Sequence, residues 1–306
     1  MKSVFKLTLK LFLMLVFILI SISNAIFSCV EASEGNIPVF VSILPQKFFV
    51  DQIGKERVDV QVMVQPGASP HTYEPKPQQM IALSKTKIYF ASGLPFEKIW
   101  LGKVSASNKN MKIVNTDDGI KKIQMVSHYH HEKHIEQSHS DANLGEADPH
   151  IWLSPKLVAI QAQHILNGLK AVDPDSSSFY DTNYQIFISE IEKLDAELNS
   201  IFADKKGLQF MVFHPSWGYF AQDYNLEELP IEIEGKNPKP AQLQELISHA
   251  RKNKISIIFV QPQFSVKSAQ QIAKEIDGEV IFADPLGYDW FKNLRDVADK
   301  FQSALK

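Results

Sequence analysis

The feature that most constrains this chain is a single apolar stripe between residues 176 and 204. Apolar side chains recur there at intervals of 4, 3, 4, 3, 4 and 3 residues, at Tyr180, Tyr184, Phe187, Ile191, Leu194, Leu198 and Ile201. This spacing keeps them on one face of a helix. At 1.5 Å per residue such a helix is roughly 40 Å long, enough to run the full height of a two-lobed protein.

Strand-like and helix-like segments alternate on both sides of this helix. The clearest strand-like segments are residues 39–44, 58–62 and 87–91 before it, and 209–213, 255–260 and 280–282 after it. Such alternation predicts parallel sheets that are covered by helices. We therefore expect two α/β lobes with parallel-type sheets, residues 33–172 and 206–306, joined by one long rigid helix within 173–205.

The first 32 residues have the layout of a secretory signal. A basic start precedes an apolar run over residues 11–22, which is short for a membrane span of ~20 residues. Cleavage after Ala25 or Ala32 fits the small-residue rule, and Cys29 partly resembles the cysteine of a lipoprotein box. We expect a periplasmic protein, or one lipid-anchored at the outer face of the cytoplasmic membrane; a retained anchor is the alternative.

Composition excludes some classes of protein. Cys29 is the only cysteine, so no disulfide can form within the chain and stability must come from an apolar core. The formal net charge is −3. Because no strong basic field exists, we expect no nucleic-acid partner.

Residues 127–147 interrupt the α/β pattern. The segment is polar, has almost no aliphatic residues and predicts a flexible loop. Its five histidines are His128, His130, His131, His134 and His139.

Three other histidines and one aspartate lie in or beside predicted loops, where ligand sites form in open α/β sheets. His71 follows a loop rich in proline and glycine, His150 precedes a predicted helix, and His214 ends a predicted strand. Asp284 follows another strand-like segment. Three imidazoles and one carboxylate would complete a tetrahedral Zn²⁺ shell. A single histidine near a loop is, however, more often a surface or hydrogen-bonded residue than a ligand.

Five short motifs make the interpretation more specific. They are GASPHTYEP at 67–75, DPHIW at 148–152, FHPSWGYF at 213–220, EGKNP at 234–238 and DPLG at 284–287. In this order they resemble the zinc and manganese solute-binding proteins of ABC importers, the ZnuA-like and TroA-like family (cluster A-I). The resemblance covers about residues 36–306.

The resemblance implies two α/β lobes bridged by one long helix, with a metal in the cleft between them. Carried over residue by residue, the implied ligands are His71, His150, His214 and Asp284. The manganese branch usually has a glutamate in place of His214, and a third imidazole favours Zn²⁺ over the harder Mn²⁺. Some zinc members have a glutamate just before the first histidine, where this chain has Pro70. This departure strengthens Asp284 as the fourth ligand.

The histidine-rich loop also resembles the zinc branch of the family. We interpret it as a secondary metal loop that gathers or senses zinc; the alternative is a solvated insert with no role in transport. Glu74 and Glu234 are candidates for orienting the ligating histidines, since carboxylates often do so, or for fixing the loops in which they lie.

The favoured function is a high-affinity zinc-binding component of a bacterial ABC importer. It would capture Zn²⁺ outside the inner membrane as a monomer and deliver it to the permease membrane subunit. The alternatives are a Mn²⁺-binding importer component or a metal-dependent surface adhesin of the same fold, and a secreted zinc hydrolase. Since a catalytic zinc keeps an open position for water and the chain has no HExxH motif, we expect no enzymatic activity.

Overall fold

The computed structural model describes residues 36–125, 147–232, 238–264 and 266–305. The predicted signal segment, the five loop histidines and Glu234 lie outside these residues. Within the described part of the chain, no helix is both long and apolar enough to cross a membrane.

The amino-terminal half folds around a four-stranded parallel sheet. Its strands are β1 (Ile37–Val41), β2 (Val58–Val62), β3 (Ile88–Ala91) and β4 (Lys112–Asn115), in the order β2-β1-β3-β4. Its helices are α1 (Leu44–Gly54), α2 (Pro77–Leu83) and α3 (Pro95–Ser107). The central strand β3 is buried along its whole length, as expected of a strand covered on both faces.

Two consecutive helices connect this half to the next. They are α4 (Pro155–Val172) and α5 (Ser177–Ile201), separated by a 3₁₀ turn at Pro174–Ser176. The predicted apolar stripe lies along α5, where Tyr180, Phe187, Ile191, Leu194 and Leu198 are buried. This helix has 25 residues and is about 38 Å long. It begins after residue 173 because Pro174 starts a 3₁₀ turn and disfavours helical geometry at the preceding residue, and it ends at Ile201 rather than at residue 205.

The carboxyl-terminal half contains a second four-stranded parallel sheet. Its strands are β5 (Gln209–Val212), β6 (Glu227–Pro230), β7 (Ile257–Val260) and β8 (Glu279–Phe282), in the order β6-β5-β7-β8. Its helices are α6 (Gly218–Asp223), α7 (Pro240–Lys252), α8 (Val266–Glu275) and α9 (Trp290–Ala304). Both sheets have the same order of strands along their own chain segments, which confirms the predicted pair of α/β lobes.

Buried aromatic residues hold the two lobes and the long helix together. The ring of Phe49 on α1 lies 5.9 Å from that of Phe187 on α5 and 5.3 Å from that of Trp290 on α9. Trp152 joins the lobes through hydrogen bonds: its Nε1 donates to Pro285 O at 2.7 Å, and its carbonyl accepts from Trp290 Nε1 at 2.7 Å. These contacts set the distance between loops that belong to different lobes.

Candidate metal centre

Three of the predicted ligands converge between the lobes. Nε2 of His71 lies 3.4 Å from Nε2 of His150 and 3.1 Å from Nε2 of His214. The ligand atoms of all three residues lie within 4.8 Å of one another. In a tetrahedral shell with Zn–N bonds of ~2.0–2.1 Å, neighbouring nitrogens are about 3.3 Å apart. The two Nε2–Nε2 distances from His71 are therefore close to those expected around a single ion.

Each histidine comes from a different part of the fold. His71 lies in the loop between β2 and α2, His150 immediately precedes the 3₁₀ turn Ile151–Leu153, and His214 is the second residue after β5. His150 and His214 are buried, whereas His71 is half-buried. The ring of Phe264 stacks on His214, with centroids 4.7 Å apart. The cluster thus contains residues from both lobes, and the ring of Phe264 covers one side of it.

Buried carboxylates orient two of the imidazoles. Nδ1–H of His150 donates to Asp148 Oδ1 at 2.7 Å, and Nδ1–H of His214 donates to Glu232 Oε2 at 2.7 Å. Because an ionised carboxylate can only accept, the proton of each ring stays on Nδ1. Each Nε2 therefore presents its lone pair to the shared space, which is the arrangement that metal-binding histidines use.

The electrostatics of the cluster favour neutral imidazoles. Burial, together with the neighbouring His150 and His214, lowers the pKa of His71 to about 2. Burial also lowers the pKa of His214, although its hydrogen bond to Glu232 acts in the opposite direction. Both rings are therefore neutral at pH 7, the form in which imidazole binds a metal.

Asp284 does not join the three histidines. Its Oδ1 accepts hydrogen bonds from Gln263 Nε2 at 3.0 Å and from Leu286 N–H at 2.9 Å. The carboxylate lines a neighbouring cavity of about 70 Å³ rather than the small cavity that the histidines line. Asp284 as the fourth ligand remains a prediction.

The carboxylates that orient the histidines in the structure are not the two that the sequence suggested. Glu74 is exposed, and Glu234 lies outside the described residues, so its role stays a prediction. Asp148 and Glu232 hold His150 and His214. Asp148 could have been found because it lies two residues before His150. Glu232 follows β6, the strand paired with β5, so only the sheet order brings it to His214.

The fold and the histidine cluster together define a two-lobed α/β protein with a candidate metal site between its lobes. A family model described as the periplasmic zinc-uptake complex component A, ZnuA, matches residues 39–304. The chain belongs to this family, as its motifs indicated.

Two curated relatives are each 25% identical to this chain. The high-affinity zinc uptake system protein ZnuA of Bacillus subtilis (strain 168) is 25% identical over 250 residues, which cover 80% of this chain and 77% of that protein. The zinc-binding protein AdcA of Streptococcus pyogenes serotype M3 is 25% identical over 283 residues, covering 86% of this chain. The chain spans 55% of the length of AdcA.

Solved structures share the fold. The ZnuA chain in one crystal structure is 43% identical in sequence to this chain. The two structures match with a TM-score of 0.81 over 89% of this chain and 100% of that one. A ZnuA deletion mutant with zinc bound is also 43% identical, with a TM-score of 0.80 over 89% of this chain and 98% of that one. The laminin-binding protein of Streptococcus agalactiae, 21% identical, has the same fold with a TM-score of 0.76 over 89% of this chain and 100% of that one.

Proposed function

We propose that this chain captures Zn²⁺ for a bacterial ABC importer. The observation that carries the proposal is the convergence of three Nε2 atoms, with spacings of 3.1 and 3.4 Å that suit one tetrahedral ion. The names of its relatives ZnuA and AdcA, a zinc uptake protein and a zinc-binding protein, support the same cargo.

The donor set favours zinc over manganese. Three imidazole nitrogens suit Zn²⁺, whereas Mn²⁺ prefers carboxylate and other oxygen donors. The position that distinguishes the branches of the family is His214, which is buried and held by Glu232. Its ring is therefore already aimed at the metal position.

The shape of the site supports capture rather than hydrolysis. The cavity at the histidines has a volume of about 10 Å³, the size of a single water or ion, and is walled by Trp152, Phe264 and Leu286. A zinc hydrolase must hold a substrate beside the metal and its water. Among the described residues, the cavity fits a single ion, which supports capture.

Partner and location follow from the same proposal. A zinc-uptake component needs a membrane permease to receive the ion, and we propose that the chain delivers Zn²⁺ to that subunit as a monomer. We place it in the periplasm, or anchored at the outer face of the cytoplasmic membrane through Cys29. The zinc-binding lipoprotein AdcA of Streptococcus pneumoniae, strain ATCC BAA-255 / R6, has a name consistent with the anchored form.

The test is a competitive titration of purified protein with a chromophoric chelator, for Zn²⁺ and Mn²⁺ separately. We expect one tight Zn²⁺ site, weak Mn²⁺ binding, and loss of the tight site in His71→Ala, His150→Ala and His214→Ala. His164→Ala is the matched control, because this α4 histidine bonds Asp118 O away from the cluster. A preference for Mn²⁺, or tight zinc binding by His214→Ala, would contradict the proposal.

A further inference from the structure

We propose that Gln263 is a positioning residue that holds Asp284 away from the histidines and must release it before its carboxylate can coordinate zinc. This inference rests on the proposed function, since it concerns how the predicted fourth ligand reaches the same metal. It makes Gln263 a residue that sets the zinc affinity without binding the ion.

The position of Gln263 between two cavities carries the argument. Its side chain lines both the small cavity at His71, His150 and His214 and the neighbouring cavity of about 70 Å³ that contains Asp284. Its Nε2 donates to Asp284 Oδ1 at 3.0 Å. The amide thus lies at the boundary that the carboxylate has to cross.

The chemistry of the pair fixes the direction of this amide. An ionised carboxylate only accepts hydrogen bonds, so the Nε2 end of Gln263 must face Asp284. Within the described part of the chain, the Oε1 atom at the other end is buried without a hydrogen-bond partner. Leaving a buried oxygen unpaired is unfavourable, so this arrangement depends on the bond to the carboxylate.

A second contact holds the same oxygen. The N–H of Leu286 donates to Asp284 Oδ1 at 2.9 Å, two residues along the chain. Both bonds are to Oδ1, and Leu286 lies on the same loop as Asp284 and can move with it, whereas Gln263 is 21 residues away in sequence. In this proposal, movement of the carboxylate toward the histidines therefore breaks the Gln263 bond first. Zinc therefore competes with Gln263 for Asp284. Loss of a hydrogen bond to a charged group corresponds to a factor of about ten or more in affinity.

The experiment is a double-mutant cycle on full-length protein. Zinc affinity is measured by chelator competition for the unmodified chain, Gln263→Ala, Asp284→Ala and the double variant. Gln65→Ala is the matched control, because Gln65 lines the same cavity but bonds Val62 O instead of the carboxylate. If the alanine variant unfolds, Gln263→Met repeats the test, because methionine has a side chain of similar length but no hydrogen-bond donor.

We expect Gln263→Ala to tighten zinc binding about tenfold, Gln65→Ala to have no effect, and the gain to vanish when Asp284 is alanine. Unchanged or weaker binding by Gln263→Ala, or an equal gain in both backgrounds, would overturn the positioning role. If Asp284→Ala binds as tightly as the unmodified chain, this inference fails while the three-histidine site stands. If the unmodified chain has no tight zinc site, the proposed function itself fails.

Discussion

His214 donates its Nδ1–H to Glu232 Oε2 at 2.7 Å, and the side chains of both residues are more than nine-tenths buried. Asp148 holds His150 in the same way, also at 2.7 Å. Two of the three histidines are therefore fixed in rotation and tautomer by carboxylates that belong to the protein itself. This arrangement reduces the ordering that metal binding requires.

Removal of Glu232 should weaken zinc binding without abolishing it. We expect Glu232→Ala to reduce zinc affinity about 10–100-fold, because His214 loses its orientation but keeps its ring. Chelator competition measures the change. Glu227→Ala is the control, since this exposed carboxylate lies on β6 and bonds Gln209. An effect as large as that of His214→Ala would mean that Glu232 does more than orient the ring.

The histidine-rich loop should be dispensable for tight binding. Deletion of residues 127–141 removes the five loop histidines while leaving His71, His150 and His214 in place. We expect isothermal calorimetry to retain the high-affinity zinc event and to lose only weaker, rapidly exchanging events. Loss of the high-affinity event in the deletion would show that the tight site lies in the loop.

Trp152 should contribute to stability through its link between the lobes. Trp152→Phe removes the donor to the buried carbonyl of Pro285 and should lower the free energy of unfolding by about 1–3 kcal/mol. Urea unfolding followed by circular dichroism tests this. Trp100→Phe, at a half-buried position on α3, is the matched control and should change stability less. Equal losses in the two variants would contradict the special role of the link.

Glu228 should make the protein less stable as the pH rises. Burial raises the pKa of Glu228 to about 8, against the hydrogen bond from Trp217 N–H, and repulsion from Asp148 adds to the rise. Because its pKa in the unfolded chain is near 4.5, the folded protein binds one more proton between these two values. The free energy of unfolding contributed by Glu228 therefore falls as the pH rises through that window.

The measurement is urea unfolding at about pH 5 and about pH 8 in the presence of a chelator. Glu228→Gln, which stays neutral, should lose less stability between the two pH values than the unmodified chain. Glu227→Gln, at an exposed position on the same strand, should follow the unmodified chain. Indistinguishable pH dependence for Glu228→Gln and the unmodified chain would show that Glu228 is ionised in the folded protein throughout.

Local patterns in the sequence predict the architecture and the three histidines of the site. The 4-3 spacing identifies α5 because a helix needs only its own side chains to define an apolar face. The α/β alternation likewise identifies two parallel sheets. The motifs around His71, His150 and His214 identify the histidines that the structure brings together.

What the sequence alone determined is therefore the set of elements and the identity of the three imidazoles. Only the tertiary structure decided that Glu232 orients His214, and that Asp284 lies with Gln263 rather than with the histidines. The physical reason is distance along the chain. His71 and His214 are 143 residues apart, and His214 and Glu232 are 18 apart. Such contacts depend on strand order and packing between the lobes, which no local spacing encodes.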